Sequence, residues 1–160
     1  MKKHLFFTGE KGCGKSTHIK NILKEHPKLN VKGFLTLRTL NTDGSYSVHM
    51  LHVGTDEQPN ADNLLFYCGK DRLRLSKEEV LEHFNRLGSL ILSDVKGSDI
   101  IIMDEIGPNE ELAEIFKNRV LELLDGDIPI LGVIQKADSV FLDKVKKHPK
   151  VEVKELIKDF

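Results

Sequence analysis

The stretch Phe6–His18, FFTGEKGCGKSTH, fits the pattern G-x-x-x-x-G-K-[ST], with Gly9, Gly14, Lys15 and Ser16 at the fixed positions. It follows the apolar run HLFFT and opens a helical pattern from about Ser16 to Glu25, which Pro27 stops. A strand, a Gly-rich turn and a helix in that order form the setting of a phosphate-binding loop. The glycines let the backbone close tightly on phosphate oxygens. The N–H groups of Glu10, Lys11, Gly12 and Cys13 then point inward as donors. The helix start, with Thr17 in its first turn, aims the positive end of its dipole at the same anion. Lys15 reaches the β- and γ-phosphates as a mobile charge, and the Ser16 hydroxyl ligates Mg²⁺. The side chains of Glu10 and Lys11 receive no chemical role. Cys13 is read as a small filler facing away from the phosphates.

Outward from this loop, apolar strands alternate with amphipathic helices. VKGFLTLRTL reads as a strand, Asp43-Gly44 as a turn, and YSVHMLHV as a strand pairing back, so a β-hairpin is inserted after the first helix. Thr55 to Asn63 is polar and reads as a loop, and NLLFYCG as a short strand. Ser76 and Glu79 have capping-box spacing, with Val80, Phe84, Leu87 and Ile91 on one helical face behind them. DIIIMDE is a continuous apolar run ending in acid, which suits a strand buried on both faces. Asn109 is expected to cap a helix that faces Leu112, Phe116, Val120 and Leu123 inward. IPILGVI is a further buried strand, Asp138 the expected cap of another helix, and KVEV a last strand. The pattern predicts an α/β, three-layer fold with a mainly parallel central sheet. Residues 1–160 are read as one domain, with its chemistry at the carboxyl ends of the strands.

Composition narrows the function. The 160 residues are 39% hydrophobic and 31% charged with a net charge of −1, which excludes a disordered chain and gives no broad basic face for nucleic acid. Lys144, Lys146 and Lys147 have the spacing of a solvated helix face. No apolar run is long enough to cross a membrane, and MKKHLFF breaks too early for a signal peptide, so a cytoplasmic location is expected. Cys13 and Cys68 make no disulfide framework. His49 and His52 have no ligand pattern beside them and read as strand residues rather than a metal site.

The second half of the site is read at IIIMDEIG. Asp104 ends a buried strand, where a Mg²⁺-associated carboxylate belongs, and Glu105 follows as the residue that takes a proton from the attacking water. Gln135 ends IPILGVI. If that strand lies between the other two, Gln135 points near the γ-phosphate and contacts the nucleotide. The competing reading takes QKAD, Gln135 to Asp138, as a variant of the guanine-reading N-K-x-D, with Gln in place of Asn. Arg72 and Arg74 lie in a polar stretch that could close as a lid, and Arg119 is expected on a helix surface.

FTGEKGCGKST, VKGFLTLRT, IIIMDEIG and HPKVEVKEL occur in the order and spacing of a small single-domain family. The chain resembles the P-loop nucleoside-triphosphatase family that includes the cancer-related nucleoside triphosphatases. The resemblance implies a RecA-like fold and slow, Mg²⁺-dependent hydrolysis of several nucleoside triphosphates with little base preference. It implies phosphate and metal roles for Gly9, Gly14, Lys15 and Ser16, and metal and water roles for Asp104 and Glu105. Thr36 matches the Thr of the family's GF-x-T. The chain departs from the family at Leu37–Thr39, at PNEE after DEIG and in its last residues, LIKDF.

Three functions fit these residues. The first is a nucleoside triphosphatase using Glu105. The second is a small nucleoside or nucleotide kinase, which needs an acceptor pocket and an Arg-rich lid. The third is a nucleotide-gated interaction module, with the hairpin from Phe34 to Val53 offered to a protein partner.

Overall fold

The computed structural model describes residues 2–9, 14–69, 75–107 and 113–156. Its strands are β1 (His4–Thr8), β2 (Val31–Leu40), β3 (Tyr46–His52), β4 (Leu64–Cys68), β5 (Ile100–Ile106), β6 (Ile130–Ile134) and β7 (Val151–Glu155). Its helices are α1 (Lys15–Glu25), α2 (Lys77–Leu92), α3 (Glu114–Asp125) and α4 (Val140–Lys146). The strands form one seven-stranded sheet in the order β4-β3-β2-β5-β6-β1-β7. β1 pairs in parallel with β6 and β7, and β5 in parallel with β2 and β6. β3 joins β2 and β4 antiparallel. The expected hairpin is therefore present, but its first strand is also part of the parallel core. Among these strands, only β3 runs against the others.

Successive residues of the central strands serve opposite faces, which explains their unbroken apolar runs. On one face Phe7, Ile102, Leu131 and Val133 pack with Ile19 of α1. On the other, Phe6, Phe34, Met103 and Ile134 pack with α2, α3 and α4 through Phe84, Phe116, Val120 and Leu142. The helices thus make two outer layers around the sheet. Gly88 lets α2 and α3 meet closely, because a side chain there would overlap the Phe116 ring.

Several local readings change. The α3 N-cap is Ala113, with no side-chain cap bond, so the helix starts later than Asn109 implies. Asn109 and Leu112 lie outside the described residues. The buried stripe of α3 is Phe116, Val120 and Leu124. Leu124 is the fully buried residue of the last turn, because spacings of four keep the stripe on one side, and Leu123 packs half-buried against the same core. The α4 cap is Ser139, whose side chain accepts from the Leu142 N–H, rather than Asp138. The polar loop before β4 closes with a single 3-10 turn, Ala61–Asn63, capped by Asn60. Ser76 caps α2 in a full capping box, as its spacing predicts.

Candidate active site

Because β1, β2, β5 and β6 run parallel, their carboxyl ends share one edge of the sheet. The sequence-predicted groups gather there. β1 ends at Thr8 and Gly9 follows it. Gly14, on the far side of the loop, is the left-handed N-cap residue of α1. No side chain caps α1 and no acidic residue stands in its first turn, so its positive end is uncompensated by the helix itself. Lys15 Nζ donates to the Gly9 carbonyl at 2.8 Å, which brings the ammonium back to the end of β1. Glu10, Lys11, Gly12 and Cys13 lie outside the described residues, as do Arg72 and Arg74.

Asp104 reaches the same place from β5. Its carboxylate is buried, 2% exposed, and accepts the Ser16 hydroxyl at 3.0 Å. Burial pushes the Asp104 carboxyl up to about 6. The Ser16 hydrogen bond opposes that rise, the Glu105 charge adds to it, and Lys20 and Lys15 pull it down. A carboxylate so placed gains when a cation arrives. A hydroxyl and a carboxylate at this separation are the hard oxygen donors that Mg²⁺ takes, so the residues present fit that ion.

Glu105 owes its position to a break in the sheet. Asp104 pairs with Val133 and Ile106 with Ile134, and the register shifts between them. The facing also changes parity, since Ile101, Met103 and Ile106 all enter the same core layer. Glu105 is the residue displaced, half-buried at the strand end, as bulges at functional edges often arrange. Its Oε1 accepts from Gln135 Nε2 at 2.8 Å. The Gln135 backbone N–H donates to the Ile106 carbonyl at 2.8 Å. β6 does lie between β1 and β5, and this is what brings Gln135 to Glu105. Thr36 sits one residue beyond Leu35, the partner of Asp104 across β2 and β5.

Two residues at this edge escaped sequence reasoning. Thr8 Oγ1, at the end of β1, is buried with no hydrogen-bond partner among the described residues. Gly107 is buried against the Gln135 amide. The only sequence signal was the position of each at a strand end. Other residues weighed in the sequence lie elsewhere. Arg119 is not a free surface residue, because Nη2 and Nε donate to the Leu92 carbonyl at 2.9 and 3.2 Å and close the end of α2. Lys136 pairs with Glu155 at 2.9 Å. His49 is buried between Ser47 and Asn63, and His52 pairs with Glu57. Among the described residues no three His, Cys, Asp or Glu gather as a metal cluster. No helix among them is long and apolar enough to cross a membrane.

Comparison with known proteins gives the family. The family model described as NTPase matches residues 4–159. Nucleoside-triphosphatase THEP1 of Methanocaldococcus jannaschii is 30% identical over 136 residues, covering 82% of this chain and 78% of that protein. The protein of the same name from Thermotoga maritima is 27% identical over 154 residues, covering 95% and 85%. The crystal structure of THEP1 from the hyperthermophile Aquifex aeolicus superposes with a TM-score of 0.54 at 23% identity, covering 96% of this chain and 89% of that one. That last likeness speaks to the fold. With the family model spanning nearly the whole sequence and the loop-to-Asp104 geometry in place, the chain belongs to the NTPase family of P-loop proteins.

Proposed function

We propose that this protein is one nucleoside-triphosphatase domain that hydrolyses several nucleoside triphosphates, ATP and GTP among them, to the diphosphate and phosphate. Mg²⁺ is its cofactor, its turnover is slow and its location cytoplasmic. The observation that carries the reading is the 3.0 Å contact of Ser16 with Asp104, with Glu105 next in the chain. Family membership and the names of the relatives support it.

In this reading the loop from Gly9 to Ser16, with Thr17, holds the β- and γ-phosphates through backbone N–H groups and Lys15. Ser16 and Asp104 would hold Mg²⁺. When bound, that ion supplies positive charge to the β- and γ-phosphate oxygens. Glu105 accepts a proton from a water in line with the γ-phosphorus. The water oxygen bonds to phosphorus as the bond to the β–γ bridging oxygen breaks. The electron pair leaves on that oxygen with the diphosphate.

Slow turnover is supported by the arginines among the described residues. Arg38 lies 3.9 Å over the Tyr46 ring, Arg86 pairs with Glu82, and Arg119 holds Leu92. Phosphoryl transfer is slow while no arginine meets the developing charge, and none of these three does; Arg72 and Arg74 lie outside the described residues. Broad base use is supported by Lys136, which is engaged with Glu155 rather than set to pack along a guanine ring. Product formation from ATP, GTP, CTP and UTP, with and without Mg²⁺, tests the reading together with Glu105→Gln. The variant is expected to bind nucleotide and lose turnover. Wild-type turnover in that variant removes Glu105 from the reaction, absence of product from all four triphosphates sinks the hydrolase, and diphosphate release that depends on an added nucleoside or monophosphate makes the protein a kinase.

A further inference from the structure

We propose that Gln135 is the positioning residue for Glu105, and that Gly107 lacks a side chain so that the Gln135 amide can reach it. This deepens the hydrolase reading and rests on it. The Gln135 amide is held at both ends. Its own backbone N–H is tied to the Ile106 carbonyl at 2.8 Å, which fixes where the side chain starts. Its Nε2 donates to Glu105 Oε1 at 2.8 Å, which fixes where it ends. Glu105 sits where the β5–β6 ladder shifts register, so the sheet alone does not orient its carboxylate. A rotating carboxylate meets an in-line water only part of the time. The amide pins one oxygen, and the other is the one that takes the water's proton.

Gly107 supplies the independent observation. A Cβ there would lie 2.6 Å from Gln135 Cδ, 2.7 Å from Nε2 and 2.8 Å from Oε1, and these are its three nearest heavy atoms. Gly107 is also absent from the glycines with positive φ, so a left-handed backbone is not what requires glycine there. The first obstacle an alanine meets at this position is therefore the movable end of Gln135. The fold can absorb it by pushing the amide aside, and that breaks the bond to Glu105. The Gln135 amide, which supplies all three nearest atoms, explains the bare position.

The test uses the full chain and three variants: Gln135→Ala, Gly107→Ala and the double variant. Each is measured for kcat, KM, equilibrium binding of nucleoside triphosphate and diphosphate, and thermal midpoint. Gln135→Ala is expected to lower kcat by about tenfold or more, the scale of a misplaced catalytic group, with binding of both nucleotides unchanged. Gly107→Ala is expected to lower kcat alike. The double variant should match Gln135→Ala alone, because the obstacle to the new methyl is gone. Losses that multiply in the double variant would show that Gly107 acts independently and overturn the proposal. Weakened triphosphate binding with unchanged diphosphate binding would make Gln135 a γ-phosphate ligand instead. Wild-type kcat in Gln135→Ala overturns the inference while leaving the hydrolase reading intact, provided Glu105→Gln is inactive. If Gly107→Ala does not fold, Gln135→Ala alone still decides.

Discussion

The Ser16 hydroxyl donates to Asp104 Oδ1 at 3.0 Å, so the first turn of α1 rests on a buried carboxylate 88 positions later in the chain. Asp104 loses its proton at about 6 in the folded protein against an ordinary 3.8, with burial the largest cause. Between those values the folded state binds more protons than the unfolded one. Native stability therefore falls as pH rises through that window, and the cost is complete above it. Asp104→Asn removes the buried charge. Without nucleotide or metal, at neutral pH, the variant is expected to be more stable by on the order of 2 kcal/mol. Its nucleotide binding should no longer differ between Mg²⁺ and a chelator. A thermal midpoint below wild type would show that the carboxylate is already compensated.

His4 sets the opposite slope. The Leu124 carbonyl can only accept, so His4 Nε2 carries the proton and donates at 2.8 Å. His4 Nδ1 accepts the Ile130 N–H at 3.1 Å. The ring is thus neutral and both its nitrogens are used. Burial pulls its pKa below 6.5; the Leu124 hydrogen bond opposes this, and the charges of His148, Lys150 and Lys3 add to it. The unfolded chain then takes the proton first, so stability is lost as pH falls below about 6.5. His4→Leu strands two buried backbone groups and is expected to cost on the order of 2–4 kcal/mol at neutral pH. Denaturant titrations across pH should show this acid limb in wild type and not in the variant. The limb should be steeper in Asp104→Asn, where the opposing slope is gone. An unchanged acid limb in His4→Leu would place its origin elsewhere.

The helix after β6 offers a test of two adjacent residues. Ser139 accepts the Leu142 N–H at 3.0 Å, and Asp138 beside it is exposed. Ser139→Ala is expected to cost about 1 kcal/mol in urea unfolding. Asp138→Ala should stay within about 0.5 kcal/mol, as exposed substitutions do. Asp138→Ala should also leave the ratio of GTP to ATP turnover unchanged. A selective fall in GTP turnover would revive QKAD as a guanine reader.

These outcomes separate what the chain states locally from what only packing decides. The spacing of Gly9, Gly14, Lys15 and Ser16 is local, and a strand ending at Asp104 is visible from one apolar run. The meeting of Gln135 and Glu105 was legible only conditionally, since it needs β6 between β1 and β5. The place of Gly107 could not be read, because its cause is a side chain from another strand. Asp138 and Ser139 are both good capping residues, so propensity could not choose between them. The choice falls on Ser139 because burial of Phe141 and Leu142 sets where the helix turns. Arg119 looked like a surface cation because a backbone carbonyl from α2, its actual partner, leaves no mark in the sequence.

Gly33 carries the strongest stability prediction, and it reaches the site through the sheet. It sits in β2 opposite Ile102 of β5, with φ at 118°. Two penalties meet there. An L residue is strained at that φ by about 1–2 kcal/mol. Its Cβ would also overlap the Ile102 carbonyl oxygen and lie 2.7 Å from the Ile102 nitrogen, and backbone in a central strand cannot swing aside. Gly97 separates the two effects, because its φ is 84° but nothing lies within 4 Å of where a methyl would stand. Gly97→Ala is expected to cost about 1 kcal/mol from strain alone. Gly33→Ala should cost several kcal/mol more, enough to leave much of the chain unfolded at 37 °C (a domain has only about 5–15 kcal/mol in hand). What does fold should have β2 pushed off β5. Two residues further along, Leu35 pairs with Asp104, so the Ser16–Asp104 contact is disturbed as well. Urea unfolding of both variants, with nucleotide binding measured on the folded fraction, checks this. Equal costs at Gly33 and Gly97 would mean that the β2–β5 spacing yields to a methyl group, and the two strands would then be looser than their register implies.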